Sequence, residues 1–161
     1  MDYIIREMTK DDYEGVAEIY GQGIESGTAT FCTEVPKYET WDRDHHEFCR
    51  YVAEGDGKIL GWTALTVGII REAYRSTAEL SIYVRKEYRR HGIGSALIEK
   101  VKGEANKFGV HMLESRICRQ NSGSIGLHEK CGFRFVGVRE EIAMDKYGKW
   151  QDIVEMEVIV K

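Results

Sequence analysis

The stretch Thr77-Ala78-Glu79-Leu80-Ser81-Ile82-Tyr83-Val84-Arg85, followed three residues later by Arg89-Arg90-His91-Gly92-Ile93-Gly94, decides the fold. Ala78, Leu80, Ile82 and Val84 alternate with Thr77, Glu79, Ser81 and Tyr83, so the first part predicts a strand with one apolar and one polar face. From Ser95 to Phe108 the pattern turns helical, and the glycine run lies between the two as a strand-turn-helix junction. Glycines there let a ligand approach the backbone, and the unpaired N–H groups and positive dipole end of the helix point at any anion held in the turn. A tight turn with no ligand is the other reading of the same glycines.

Outward from this junction, the chain has one domain's length, 161 residues with 42% hydrophobic content, enough for a core. One proline, 17 glycines, no fixed-period repeat and no linker-like tract predict a single domain spanning residues 1–161. The start, Met1-Asp2-Tyr3-Ile4-Ile5-Arg6, reads as a short strand and not an export signal, and no stretch approaches membrane-spanning length, so a cytoplasmic location is the expectation. Cys32, Cys49, Cys118 and Cys131 are scattered and read as reduced thiols, mostly core residues. His45-His46 lacks the spacing of a helical metal pair, and no metal is expected.

Charge is uneven. Residues 1–50 carry 12 acidic and 5 basic side chains, a net of −7, whereas residues 85–119 carry 9 basic and 4 acidic, a net of +5. The basic surplus starts with Arg85, Lys86, Arg89 and Arg90, at the glycine turn, which suits a polyphosphate ligand. A chain of net charge −4 without a basic stripe excludes nucleic acid as the expected partner.

The remaining segments predict an order of elements. Tyr3 to Glu7 is a strand; Thr9 with Asp12 caps a helix whose stripe is Tyr13, Val16, Ala17 and Tyr20; Gly21 to Pro36 is aperiodic and reads as a long loop able to touch substrate. A second helix is expected over 38–49, then a hairpin of Tyr51–Glu54 and Lys58–Val67 around Gly55-Asp56-Gly57. Residues 77–85, the helix 95–108 and His111–Cys118 form a β-α-β unit with parallel strands. A short helix over Asn121–Cys131 and a strand pair, Phe133–Met144 with Trp150–Val160, complete an α/β or α+β domain.

A strand leading into a crossover helix is covered on both faces, so Glu79 is expected to be partly buried. A carboxylate there needs a partner or a task. Desolvation raises its pKa toward that of a useful base; a structural ion pair with Arg71 or Arg75 is the alternative.

The Arg89–Gly94 turn, with Asn121-Ser122-Gly123-Ser124-Ile125-Gly126-Leu127-His128-Glu129-Lys130-Cys131-Gly132-Phe133 downstream, resembles the two signature motifs of the GNAT N-acetyltransferases. Thr77 to Val84, His128, Phe31-Cys32-Thr33-Glu34, Arg71-Glu72-Ala73-Tyr74 and Gly148-Lys149-Trp150-Gln151-Asp152 are similar to the phosphinothricin acetyltransferase branch, including its methionine sulfone and methionine sulfoximine acetylating members. The resemblance implies the GNAT fold: a mixed, mostly antiparallel twisted sheet with helices on both faces, in which the parallel strands 77–85 and 111–118 splay apart. It implies acetyl-CoA as co-substrate, with Arg89, Arg90, His91, Gly92, Ile93, Gly94 and Ser95 on the pyrophosphate, the pantetheine arm along Ile82, Tyr83 and Val84, and Asn121 and Ser124 near the arm. For the glycines of the second motif, Gly123 and Gly126, close passage of the cofactor and plain helix–sheet packing are both open.

The chemistry implied is direct transfer of acetyl to the α-amine of a small amino acid such as phosphinothricin, methionine sulfoximine or methionine sulfone. Glu79 would be the base, and His128, where many family members carry a tyrosine, would protonate the thiolate or serve as base itself. Phe31, Thr33, Glu34, Arg71, Tyr74, Arg75 and Tyr83 are the expected acceptor contacts, the arginines on the α-carboxylate or the side-chain oxygens. Ser76 and Cys131 depart from the branch pattern, and the resemblance implies a homodimer whose cleft Trp150 and Asp152 would line. Another acceptor amine (a peptide N-terminus, a polyamine, an antibiotic) and a non-catalytic acyl-CoA-binding regulator are the alternatives.

Overall fold

The computed structural model describes residues 1–67 and 71–161. Seven strands form one sheet: β1 (Ile4–Glu7), β2 (Tyr51–Gly55), β3 (Lys58–Thr66), β4 (Thr77–Val84), β5 (Met112–Cys118), β6 (Arg134–Met144) and β7 (Trp150–Ile159). Their spatial order is β1-β2-β3-β4-β5-β7-β6, and every neighbouring pair is antiparallel except β4 with β5. The sheet is thus mixed and mostly antiparallel, as expected from the sequence.

Helices cover both faces. On one, α1 (Tyr13–Ser26) and α2 (Tyr38–Asp44) bring Val16, Ile19 and Trp41 onto Val52, Trp62 and Ala64. On the other, α3 (Ile93–Glu104) inserts Ile93, Leu97, Ile98 and Val101 among Leu65, Leu80, Leu113 and Met156, with α4 (Ser122–Lys130) beside it. Each large side chain wholly removed from water there contributes about 1.5–3 kcal/mol. β3 is central and buried from Ile59 to Leu65, which explains its nearly unbroken apolar run.

Two boundaries differ from expectation. The first helix continues to Ser26, where Gly27 at φ +73° ends it, so the loop is shorter than Gly21–Pro36. The residues Gly21, Gln22 and Gly23 hid this extension because glycine is a poor helix former, yet Gly23 packs closely: a Cβ there would crowd the Tyr83 ring at 3.0 Å. The second helix stops at Asp44, and His45 instead bridges Thr66 of β3. Likewise the crossover helix is α-helical over Ile93–Glu104 and tightens to 3-10 over Ala105–Phe108.

The parallel pair is short. β4 and β5 share only Thr77↔Met112, Ala78↔Leu113 and Glu79↔Glu114. Beyond Glu79 the strands part, and among the described residues the β5-facing edge of β4 has no strand partner up to Val84. A sheet therefore opens in its middle, with unpaired backbone groups along one lip.

Candidate active site

The opening leads into a cleft of about 1290 Å³ that crosses the sheet. This exceeds the roughly 300–1,000 Å³ of sites for one drug-sized molecule and has room for a long cofactor with a small acceptor. Strand alternation sorts its walls. Glu79, Ser81 and Tyr83 of β4, with Arg116 and Cys118 of β5, face α1 and α2; Ser115 and Ile117 face α3 and α4.

Glu79 stands at the last paired position before the strands part, half-buried, with Thr66 opposite it on β3 and Glu114 on β5. Burial pushes its carboxyl above the usual glutamate range; Arg116 pulls it back, and Glu114 and Glu155 push it further up. Among the described residues Glu79 has no hydrogen-bond or ion-pair partner, and Arg75 contacts Glu72 instead. The structural ion pair with Arg75 is absent, and a polar group without a partner at the mouth of a cleft is available for chemistry.

His128 is placed otherwise. It is 1% exposed, on the opposite face, with its ring edge against Phe133. Nδ1 lies 2.7 Å from the Ser124 carbonyl oxygen and Nε2 lies 2.8 Å from Ser115 Oγ. A carbonyl only accepts, so Nδ1–H donates to it and Nε2 of the neutral ring accepts from the Ser115 hydroxyl. Burial holds the imidazole below its ordinary value. Both ring nitrogens are engaged, and His128 and Ser115 both line the cleft.

At the glycine turn, Arg89, Arg90, Gly92, Ile93, Gly94 and Ser95 line the cleft, as do Ile82, Tyr83, Val84, Asn121 and Ser124; His91 does not. The two glycines serve different ends. Gly92 has φ +80°, a left-handed conformation that starts α3, and a Cβ there would meet only the Tyr3 hydroxyl, at 3.8 Å. Gly94 is buried, and a Cβ would sit 2.8 Å from Leu127 Cδ2, so besides lining the cleft it is a packing position between α3 and α4. Gly126 has nothing within 4 Å of its missing Cβ, so helix–sheet packing does not explain it. Asn121 caps α4, its Oδ1 accepting from Ser124 N at 3.1 Å. Arg85 leaves the phosphate set: it is 6% exposed and bonded to Ile59 O and the Glu18 carboxylate.

Of the expected acceptor contacts, Phe31, Glu34 and Tyr83 line the cleft. Thr33 does not, and Arg71, Tyr74 and Arg75 sit exposed on the turn before β4, outside the lining. Residues that sequence reading passed over complete the wall: Tyr20 and Trp41 of the first two helices, and Arg116 and Cys118 of β5. Tyr20, Tyr83 and Trp62 stack at 4.9 to 6.0 Å between ring centroids, and burial raises both tyrosine hydroxyls well above their ordinary range. The aromatic spacing along α1 carried a core signal that masked this second use; Arg116 could have been found by applying to β5 the alternation argument that singled out Glu79.

A splayed parallel pair, a glycine turn opening a helix and a cleft between them define an acyl-CoA-type acyltransferase architecture, and comparison with known proteins agrees. The model of the Acetyltransferase (GNAT) family matches residues 6–133, and the chain belongs to that family. It is 32% identical over 163 residues to the phosphinothricin N-acetyltransferase of Alcaligenes faecalis, covering 95% of this chain and 80% of that protein. It is 29% identical to an L-methionine sulfoximine/L-methionine sulfone acetyltransferase of Pseudomonas aeruginosa, covering 98% and 95% of the two chains. Among solved structures, a phosphinothricin acetyltransferase from Sinorhizobium meliloti in complex with acetyl-CoA superposes with TM-score 0.86 at 27% identity, covering 99% of this chain and 89% of that one.

Proposed function

We propose that this protein transfers the acetyl group of acetyl-CoA to the α-amine of a small amino acid bearing a tetrahedral sulfur or phosphorus, in a ternary complex without a covalent acyl-enzyme. The observation that carries the reading is Glu79: a half-buried, unpartnered carboxylate with a raised pKa, set where β4 and β5 part. Its relatives' substrates supply the acceptor class.

Acetyl-CoA would lie along the α3–α4 side, its pyrophosphate over Arg89 to Ser95 with Arg90 and Gly92 N–H groups at the helix start, and its arm against the free edge of Ile82 to Val84. His91, exposed beside the turn, would touch the phosphates from outside. Bound this way, the cofactor presents its carbonyl carbon through the opening to the other face. Glu79 takes a proton from the ammonium, the amine adds to the carbonyl, and an unpaired N–H of β4 holds the oxyanion. On collapse the C–S bond breaks, the adduct nitrogen sheds its second proton, and the thiolate takes a proton up. His128, neutral at Nε2, accepts before it can give, so it serves the sulfur only by returning a proton first taken up through Ser115.

Phe31, Glu34 and Tyr83 wall the acceptor; Thr33, Arg71, Tyr74 and Arg75 would reach its far end from the rim. Phe135, Val136, Ile142, Met144 and Trp150 lie exposed on the β6–β7 edge, which supports a homodimer through that edge. Four free thiols fit a reducing cytoplasm.

The test is release of CoA thiol from acetyl-CoA across phosphinothricin, methionine sulfone, methionine sulfoximine, the common amino acids, a polyamine and a short peptide. Turnover confined to amino acids is expected and is lost in Glu79→Gln. Preference for the polyamine or peptide would move the acceptor to another class, and acetyl-CoA binding with no turnover would make the protein a regulator.

A further inference from the structure

The acceptor's α-carboxylate needs its own partner, and a constraint of covalent geometry says where. In an α-amino acid the amine and the carboxylate are bonded to the same carbon, so the carboxylate oxygens stay within about 3–4 Å of the nitrogen. Whatever cation receives the carboxylate must therefore stand beside the base that serves the amine.

Four lysine or arginine residues line the cleft: Arg89, Arg90, Lys130 and Arg116. The first two belong to the glycine turn at the start of α3, and Lys130 ends α4 on the cofactor side. Arg116 lies on β5 two residues beyond Glu114, the register partner of Glu79, and so on the same face as Glu79. It is the foremost charge acting on the Glu79 carboxyl; Arg71 and Arg75 are not among the groups that act on it.

Arg116 also has free donors. Its Nε approaches Glu155 Oε1 at 3.7 Å, too long for a hydrogen bond, and Arg139 Nη1 approaches the same oxygen at 3.6 Å. One carboxylate thus faces two guanidiniums, and among the described residues the Arg116 guanidinium donates no hydrogen bond. Its side chain is 55% exposed, so engaging a ligand carries little desolvation cost.

Resting on the amino-acid reading above, we propose that Arg116 binds the α-carboxylate of the acceptor by a two-pronged hydrogen-bonded ion pair, leaving Arg71 and Arg75 to the side-chain oxygens. The planar guanidinium matches a carboxylate with two parallel N–H donors, and in that pose the amine falls toward Glu79. The assignment makes Arg116 the residue that separates free amino acids from their neutral derivatives.

The experiment compares methionine sulfone with its α-carboxamide in the wild type, Arg116→Gln and Arg116→Lys, each shown folded by its melting temperature. In the wild type the free acid should be preferred. Arg116→Gln should raise the KM for the acid by about ten- to a hundredfold, the size of one charge-assisted pair, with the amide and the acetyl-CoA KM unchanged. Arg116→Lys should recover part of the loss. A second readout is independent of the carboxylate: with the amide as substrate, the acid limb of kcat/KM should move to higher pH in Arg116→Gln. The groups facing Glu79 from β5 and β7 are Arg116, Glu114 and Glu155, and only the two that raise its pKa would remain. An unchanged acid-to-amide preference in Arg116→Gln would overturn the anchor while leaving the amino-acid reading intact. A wild type that acetylates no amino acid would overturn both.

Discussion

The two sides of the opened sheet are built on different principles. The α3–α4 side offers backbone: the free edge of β4, the N–H groups at the start of α3, and Gly126 with empty space over it. The α1–α2 side offers side chains brought from distant parts of the chain: Tyr20, Phe31, Trp41, Glu79 and Arg116. A backbone site recognises what many ligands share, a phosphate or an amide, whereas a side-chain site recognises one shape. The first can stay constant while the second is rebuilt for another acceptor.

The largest expected effect breaks the comparison at its chemical centre. Glu79→Gln should lower kcat by about 10²- to 10⁴-fold, the range for losing a general base, without changing acetyl-CoA binding. Its stability should move the other way. A carboxyl held above its ordinary 4.5 binds protons more tightly in the folded state, so its contribution is full below 4.5 and lost as pH rises through the raised value. Above that raised value the wild type bears the whole cost of burying the charge. Thermal melts should find Glu79→Gln at least as stable as wild type; a lower melting temperature at pH 7 would show that Glu79 has structural partners after all.

His128→Ala tests the other face and should act mainly through stability. It removes a side chain packed on Phe133 and leaves the Ser115 hydroxyl without its acceptor, costing about 2–4 kcal/mol in denaturant unfolding. The imidazole is held below its ordinary 6.5, so the folded state resists protonation and wild-type stability falls as pH drops below that value. The variant should show a shallower fall over that window. An unchanged slope would mean the ring is not held neutral by burial.

What could be read in advance follows the same division. Glycines at 92 and 94 and the alternation from Thr77 to Val84 are local signals, and they placed the turn and the strand. Tyr20 and Trp41 were read, if at all, as core, because helical spacing of aromatics carries no mark that one edge faces a cleft. The ends of α1 and α2 were missed because packing overrode propensity: Gly23 admits Tyr83, and His45 bridges a strand. Gly94 has a second cause that is not local: a Cβ there would meet Leu127, 33 residues away in sequence.

Gly92→Val sharpens the backbone side at an intermediate size. The residue sits at φ +80°, where a β-branched side chain costs about 1–2 kcal/mol or more, and the turn must shift to relieve it. Titration should show acetyl-CoA binding weakened about tenfold or more, with the KM for the amino acid little changed. Equal losses for both substrates would mean that the turn supports the whole cleft and not the cofactor side alone.

The smallest effect discriminates most finely. Gly126 lies inside α4, where alanine is the better helix former by about 1 kcal/mol, and its missing Cβ faces open space with nothing within 4 Å. In the free protein, Gly126→Ala should therefore be stabilising. Gly126 lines the cleft, where a cofactor arm passing close to α4 would use the space a side chain would fill. The variant should then melt higher without ligand yet gain less from added acetyl-CoA, with the acetyl-CoA KM raised severalfold and the acceptor KM unmoved. A variant that is more stable and binds acetyl-CoA as well as wild type would remove the cofactor from the helix face. The arm would then be held by the free edge of β4 alone, and the backbone side of the cleft would be narrower than the opened sheet suggests.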